Sequence, residues 1–307
     1  MTAAVRPALE QRSAITAMWA WDNAVSPLDD VTGRGYAPAA PARLAAFATA
    51  GELRGVYLAA PSAGHDGPVA EEFGETCRAL HDAGVELSAL GGETPWLGEP
   101  ALVEQWLTEA RLAGSFDRVQ VAVEPWGAPR WSTDKADLLR AFLTLLDRAR
   151  TAADPLPVDV AVPWWFAHEP FAAPGPASPP SVGGPGTTGI GIAGAGPTGT
   201  TMLDAVLARV DRVSILALAD RALGPDGILA LTARAVRATV GAGREFTIGV
   251  ETCAPERAGG AQFTFFDEGP VALLRESALV RARLADVRGY QGVAVADHRS
   301  WRRLLGV

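Results

Sequence analysis

The stretch "FDRVQVAVEPW", residues 116–126, has the pattern of a buried β-strand that ends in an acid. Its three valines alternate with Gln120 and Ala122, and Glu124 follows the last valine directly before a proline. A strand that is apolar on both faces is typical of a parallel sheet with helices packed against it. Such a strand meets solvent at its carboxyl end, so the position of Glu124 makes that end a candidate functional site.

Seven further runs rich in β-branched and apolar residues recur at intervals of roughly 35 residues, with helical patterns between them. Glycine stop signals such as Gly84 and Gly114 end two of these helical patterns. Eight strands alternating with helices predict a single-domain (β/α)8 barrel, a TIM barrel, over residues 1–307. A doubly wound open sheet uses similar units and is the alternative. The predicted strands are 14–21, 53–60, 84–90, 118–124, 157–165, 212–219, 245–251 and 290–296.

The composition is that of a globular protein: 307 residues, 48% of them hydrophobic and 20% charged. The formal net charge of −8 argues against nucleic acid or anionic lipid as a partner. We expect no membrane span and no secretory signal, because no apolar run of about 18 residues and no N-terminal apolar segment occur. The expected location is the cytoplasm. Two cysteines indicate no disulfide framework, and the sequence does not indicate an oligomeric state.

A long insertion rich in proline and glycine, residues 169–200, follows the fifth predicted strand. In a barrel this places it on the catalytic face, where a flexible excursion and an ordered lid both fit its composition. The segment Gly189 to Gly194 matches G-x-G-x-x-G. However, it follows coil and not a strand, so no nucleotide cofactor is predicted.

Acids and tryptophans gather at the carboxyl ends of the predicted strands, which share one mouth in a barrel. Indole rings stack on the apolar faces of sugars, and carboxylates bind their hydroxyl groups. We therefore predict a saccharide or another small molecule as substrate. The predicted substrate-binding residues are Trp21, Asp22, Glu93, Trp126, Trp164, His168, Asp220, Arg221, Asp297 and His298.

Glu124 and Glu251 form the predicted catalytic pair, because they end valine-containing strands as "AVE" and "GVE". Glycosidic cleavage needs two carboxyl groups, one as proton donor and one as base or nucleophile. Each glutamate also has a structural interpretation, as a turn cap or as the partner of an arginine such as Arg130. Both interpretations stay open at this point.

The other candidates have structural alternatives as well. Asp297 could simply cap the last helix, and Asp220 and Arg221 could form a plain ion pair. A lone histidine such as His168 or His298 is commonly solvated, and each tryptophan could serve as packing at the rim. Four histidines without ligand spacing predict no metal site, and no G-x-S-x-G motif occurs.

The layout resembles TIM-barrel glycoside hydrolases. In one large clan of retaining enzymes, the acid/base glutamate ends strand 4, usually as Asn-Glu-Pro, and the nucleophilic glutamate ends strand 7. Glu124-Pro125 and Glu251 fall in these places, which implies those roles for them. Val123 departs from the pattern, because the clan has asparagine there.

The same strand resembles the chitinase-type signature D-x-x-D-x-D-x-E. Asp117 and Glu124 match its first and last positions, whereas Gln120 and Ala122 replace the two inner acids. In chitinases the last inner aspartate positions the acetamido group of the substrate. The resemblance therefore implies a related carboxylate site without ordinary chitinase chemistry.

Three hypotheses follow from the sequence. The first is a glycoside-hydrolase-like enzyme without a cofactor, with Trp21, Trp126 and Trp164 as the platform for the sugar ring. The second is a biosynthetic barrel enzyme that performs acid/base dehydration, cyclisation or isomerisation of a small metabolite. The third is a barrel that binds a ligand without catalysis.

Overall fold

The computed structural model describes residues 13–21, 40–61, 68–171 and 200–307, and within them eight parallel strands close into a barrel in chain order. Strand β1 pairs with both β2 and β8, which confirms the predicted TIM barrel and excludes an open sheet. The strands are β1 (Ile15–Ala20), β2 (Gly55–Ala59), β3 (Glu86–Gly91), β4 (Arg118–Val121), β5 (Val158–Pro163), β6 (Arg212–Leu216), β7 (Glu245–Glu251) and β8 (Tyr290–Ala296).

Helices follow the strands on the outside of the barrel. They are α1 (Pro41–Ala50), α2 (Pro68–Asp82), α3 (Leu102–Ala113), α4 (Trp131–Ala153), α5 (Met202–Leu207), α6 (Ile228–Gly241), α7 (Pro255–Ala258), α8 (Gly269–Leu284) and α9 (His298–Leu305). Short 3₁₀ helices occupy 94–97, 125–127 and 164–167, directly after β3, β4 and β5. No helix in the described ranges is long and apolar enough to cross a membrane.

The side chains of each strand alternate between the helices and the barrel interior, as the period of two requires. On β4, Val119 and Val121 pack into the large core between strands and helices, and Val123 just beyond the strand does the same. Gln120 and Ala122 belong to the opposite, inward set, as does Glu124 by the same alternation. On β7, Glu251 shares the inward set with Gly249 and Thr247. The interior cluster contains Ala17, Trp19, Tyr57, Leu90, Ala161 and Ala294.

Charged side chains close the amino-terminal end of the barrel. Arg118 donates to both carboxyl oxygens of Asp159, with its Nη2 atom at 2.6 Å from Oδ1, and Asp159 is fully buried. Arg212 lies 3.8 Å from Asp159 and 2.7 Å from Glu86, and it also pairs with Glu245. This end of the barrel is therefore held by a buried ionic network, far from the strand tips.

The insertion begins and ends side by side at the carboxyl end of β5. Phe171 donates its N–H to the carbonyl of Thr200 at 2.9 Å, and Met202 donates to Glu169 at 2.8 Å. Residues 172–199, including the G-x-G-x-x-G match, lie outside the described residues. The role of this segment as part of the catalytic face stays a prediction.

Candidate active site

Glu124 lies three residues beyond the end of β4, at the carboxyl-terminal mouth of the barrel. The predicted strand ran to residue 124, whereas the observed ladder ends at Val121. The reason is Pro125, which has no N–H for a ladder and starts a 3₁₀ turn closed by the bond from Gly127 to the Glu124 carbonyl. The turn holds the backbone of Glu124 at the rim.

The side chain of Glu124 is exposed, and no other described residue forms a hydrogen bond or ion pair with it. The surrounding protein nevertheless removes part of its hydration, and this desolvation raises the pKa of Glu124 above its ordinary value. Arg130 pairs with Asp134 at 3.2 Å. The interpretation of Glu124 as the ion-pair partner of Arg130 therefore has no support in the structure.

Glu251 is the last residue of β7 and is only partly exposed. Its Oε1 atom accepts the backbone N–H groups of Thr252 and Cys253, each at 2.8 Å. Burial raises the pKa of Glu251 to about 7, against the effect of these two donors, and the negative charge of Asp297 acts in the same direction as burial. The structure thus gives Glu251 a fixed orientation and a pKa near neutrality, both features of catalytic carboxyl groups.

Asp297 follows β8, whose last residue pairs with Glu251 in the barrel. Its Oδ1 atom accepts the N–H of Ser300 at 2.8 Å and the hydroxyl of Ser300 at 2.9 Å, so Asp297 caps α9. The hydroxyl groups of Ser300 and Thr252 are 2.8 Å apart, which links this cap to the residue after Glu251. Asp297 is therefore a helix cap that also lies within electrostatic reach of Glu251.

Tryptophans form an aromatic cluster after β4 and β5. Trp126 lies edge-on to Trp165, with ring centroids 5.9 Å apart, and Trp131 lies 6.0 Å from Trp165. Trp164 is partly exposed and lies 5.7 Å from the ring of His168, which is exposed. Trp21 packs, partly buried, against the interior cluster at the end of β1. The described tryptophans at this rim thus combine packing with partial exposure.

The remaining predicted residues are not all brought together. Glu93 is exposed before the 3₁₀ turn that follows β3, and Asp220 and Arg221 follow β6 without an ion pair between them. Asp22 lies outside the described residues. His298 is 1% exposed and packs edge-on to Phe47 at 4.8 Å, because the first turn of α9 lies against α1. We therefore leave His298 out of the proposed site.

Three residues that support the glutamates had not been predicted from the sequence. Thr252 and Cys253 orient Glu251 through backbone groups, which any residue type could supply, so their side chains gave no signal. Gly92 lies beside the backbone that carries Glu124: an added Cβ would be 2.4 Å from the carbonyl carbon of Ala122. The pair Gly91-Gly92 at the end of β3 is the one sequence signal for this close approach.

Gly92→Ala should destabilise the protein by about 1–3 kcal/mol and lower the activity assigned to Glu124, because the new methyl group must displace residues 122 and 123. Urea denaturation measures the first effect. Gly98→Ala is the matched control: its Cβ would lie 3.5 Å from the nearest atom, so its stability should change by less than about 0.5 kcal/mol. Equal stabilities of the two variants would contradict the close approach at Gly92.

Glu251→Gln should stabilise the fold at about pH 8, and the advantage should disappear near pH 4. The folded chain keeps the proton of Glu251 up to a pKa of about 7, whereas the ordinary value is 4.5. The unchanged protein therefore loses stability as the pH rises from 4.5 to about 7, and glutamine does not share this loss. The difference is at most about 3 kcal/mol.

Urea denaturation across this pH range measures the difference between the two chains. Glu256→Gln, a change of an exposed glutamate on α7, reports the background effect of one lost carboxyl group. A constant difference between Glu251→Gln and the unchanged chain at every pH would contradict a raised pKa at Glu251.

No metal centre is evident within residues 13–21, 40–61, 68–171 and 200–307: no group of three or more His, Cys, Asp or Glu side chains is placed to hold an ion. Burial raises the pKa of the Cys253 thiol to about 12, so this sulfur is poorly suited to act as a thiolate nucleophile.

Comparison with known proteins identifies the fold. No protein-family model and no curated protein sequence matches this chain. A mutant GH18 chitinase from Cycas revoluta in complex with (GlcNAc)4 is similar in structure, with 11% identity, a TM-score of 0.50 and coverage of 95% of this chain and 97% of that chain. A sugar phosphate isomerase/epimerase from Parabacteroides distasonis has 10% identity, a TM-score of 0.47 and coverage of 96% and 91%, respectively.

A HpcH/HpaI aldolase/citrate lyase family protein from Burkholderia cenocepacia has 16% identity, a TM-score of 0.44 and coverage of 97% of this chain and 93% of its own. At 11% identity, the likeness to the chitinase extends to the fold alone. The reaction has to be argued from the residues at the mouth.

Proposed function

We propose that this protein is a glycoside-hydrolase-like enzyme that acts by carboxylate acid/base chemistry on a saccharide or a glycosylated small molecule. One observation carries the proposal: two glutamates on the inward register, at the ends of β4 and β7, each have a raised pKa. A TIM barrel places its reacting groups at these strand ends, and glycosidic cleavage needs two carboxyl groups.

Glu124 is the proposed general acid/base. Its side chain is exposed and has no partner in the described part of the chain, so it can reach a leaving-group oxygen and exchange its proton with water. Its raised pKa favours the protonated form that a general acid requires.

Glu251 is the proposed nucleophile or second carboxylate. The N–H groups of Thr252 and Cys253 hold its Oε1 atom, so the carboxylate needs no reorientation when it attacks the sugar carbon. Two backbone donors also stabilise the negative charge that a nucleophilic carboxylate carries before attack.

Small inward-facing residues give the substrate room at the mouth. The inward positions next to the strand tips are Ala122, Gly249 and Ala296, and the indole of Trp19 lies below them. Trp21, Trp126 and Trp164 are the proposed ring platform. Glu93, His168, Asp220, Arg221 and Asp297 are proposed as polar contacts around this centre, and a role for Asp22, outside the described residues, stays a prediction.

A second candidate function is proton transfer on a small metabolite without hydrolysis. It is favoured by the pKa of Glu251 near 7, since a single carboxyl group can take up and return a proton at neutral pH. Dehydration, cyclisation and isomerisation need only such a group.

A panel of 4-nitrophenyl glycosides of neutral sugars and N-acetylated amino sugars, in both anomeric forms, tests the proposal. We expect at least one to be hydrolysed by the unchanged protein and not by the double variant Glu124→Gln/Glu251→Gln. NMR identifies which anomer of the sugar is released first, and this distinguishes retention from inversion. Equal hydrolysis by the double variant would refute the assignment, and no hydrolysis of any glycoside would favour the second candidate.

A further inference from the structure

Helix α8 has apolar side chains on its exposed side as well as on its buried side. Leu273 and Val280 are fully buried against the barrel, yet Val271 is 76% exposed and Leu274 is 52% exposed. A helix on the outside of a barrel normally has one apolar face. The α8 stripe consists of the exposed residues Val271, Leu274, Ala278, Leu279 and Ala282.

The stripe is continuous along the helix. Val271, Leu274, Ala278 and Ala282 follow one another at spacings of three and four residues, so they lie on one side of α8. The two alanines are exposed and small, which allows the backbone of another helix to come close. The spacing and the size of these residues fit a helix as the partner surface.

Charges of opposite sign flank the two ends of the stripe. Asp267 and Glu268 precede the first turn and are exposed, whereas Arg281 and Arg283 lie in the last turn. None of the four forms an ion pair with another residue in the described part of the chain. In the middle, Arg275 is 67% exposed and lies beside the stripe, and its Nε atom is paired with Glu276 at 2.8 Å, so the carboxylate of Glu276 offsets its charge.

This arrangement is complementary to itself when a second α8 lies antiparallel. In a two-fold pair centred near Arg275, Glu268 of one helix lies opposite Arg283 of the other. Val271 then lies opposite Leu279, and Leu274 lies next to Ala278 across the axis. Opposite charges and apolar side chains therefore meet their partners in the same register, and each contact occurs twice because of the symmetry.

We propose that the α8 stripe is the contact surface of a homodimer, in which two α8 helices pack antiparallel around a two-fold axis. The inference is independent of the proposed function, since it involves none of the residues at the mouth. A single pair of helices contributes less than the roughly 800 Å² per partner of a standard interface, so the dimer dissociates on dilution.

Sedimentation velocity over a concentration series up to about 100 µM tests the proposal. The unchanged protein should show a reversible monomer–dimer equilibrium. Glu268→Arg and Arg283→Glu should each weaken association at least about tenfold, through like charges at both symmetric contacts. The double variant Glu268→Arg/Arg283→Glu should restore it, because each swapped charge meets its swapped partner.

Two apolar substitutions complete the test. Leu274→Glu places a charge at the centre of the stripe and should leave a monomer, whereas Leu112→Glu changes an isolated exposed leucine on α3 and should leave association unchanged. A monomer at every concentration would overturn the proposal, and so would a dimer that persists in Leu274→Glu. Failure of the double variant to recover would overturn the antiparallel arrangement. Residues 1–12 could cover the stripe instead. If the full-length protein is a monomer and a variant without residues 1–12 dimerises, the proposal would also be overturned, in favour of that segment as the occupant of the stripe.

Discussion

Glu251→Gln should lower kcat/KM for the best glycoside by about 1,000-fold or more, with a similar loss for good and poor leaving groups. Glutamine keeps the size of the side chain and can still accept the N–H groups of Thr252 and Cys253, but it cannot attack the sugar carbon. Steady-state kinetics with glycosides that differ in leaving-group acidity measure the effect.

The pH dependence of kcat/KM of the unchanged protein should report the ionisation of Glu251. A carboxylate must be ionised to act as the proposed nucleophile, so kcat/KM should fall about tenfold per pH unit below the pKa of Glu251, which is about 7. Glu256→Gln is the matched control, since it removes an exposed glutamate of the next helix and should keep full activity. Loss of activity on raising the pH through 7, with a plateau below it, would instead assign the proton-donor role to Glu251.

Asp159→Asn should lower the free energy of unfolding by about 3–5 kcal/mol without touching the mouth. Asp159 is fully buried and accepts bidentate hydrogen bonds from Arg118, while Arg212 lies 3.8 Å away. Without the carboxylate charge, the guanidinium group of Arg118 loses its main ion-pair partner, and the positive charge of Arg212 is less well neutralised. Urea or guanidinium denaturation of the purified variant measures the loss.

The exposed pair of Asp137 and Arg140 offers the control for this change. Both side chains are about half exposed or more, and such pairs contribute little, so Asp137→Asn should cost less than about 0.5 kcal/mol. A loss below about 1 kcal/mol in Asp159→Asn would contradict a structural role for the ionic network at the amino-terminal end.

The fold could be predicted because its signals are local. Each strand is a short apolar run, and each helix shows helical spacing of its apolar residues. Eight alternating strand–helix units fit few folds other than a closed barrel. The predicted positions of the strand ends were less accurate, and β4 shows the reason. Val123 continues the alternation of the strand, but Pro125 cannot pair, so the ladder ends at Val121 while the alternation goes on to Glu124.

The position of Glu124 and Glu251 at one end of the barrel could be predicted, because strand order and alternation place them there, whereas their catalytic roles stay a prediction. What the sequence could not give is the environment of each side chain. Gln120, which stands where chitinases have an acid, accepts a bond from the indole of Trp19 at 2.6 Å and donates to Ser214. His298, itself a predicted substrate-binding residue, is buried in the core because α9 packs on α1.

Glu124 is proposed to donate the proton that releases the leaving group, and the leaving-group dependence of Glu124→Gln tests this role. A general acid matters most when the leaving group is a poor one. We expect Glu124→Gln to lose about 100-fold or more in kcat/KM for glycosides with poor leaving groups, and much less for activated dinitrophenyl glycosides. Unchanged activity of Glu124→Gln towards both classes of glycoside would contradict this role.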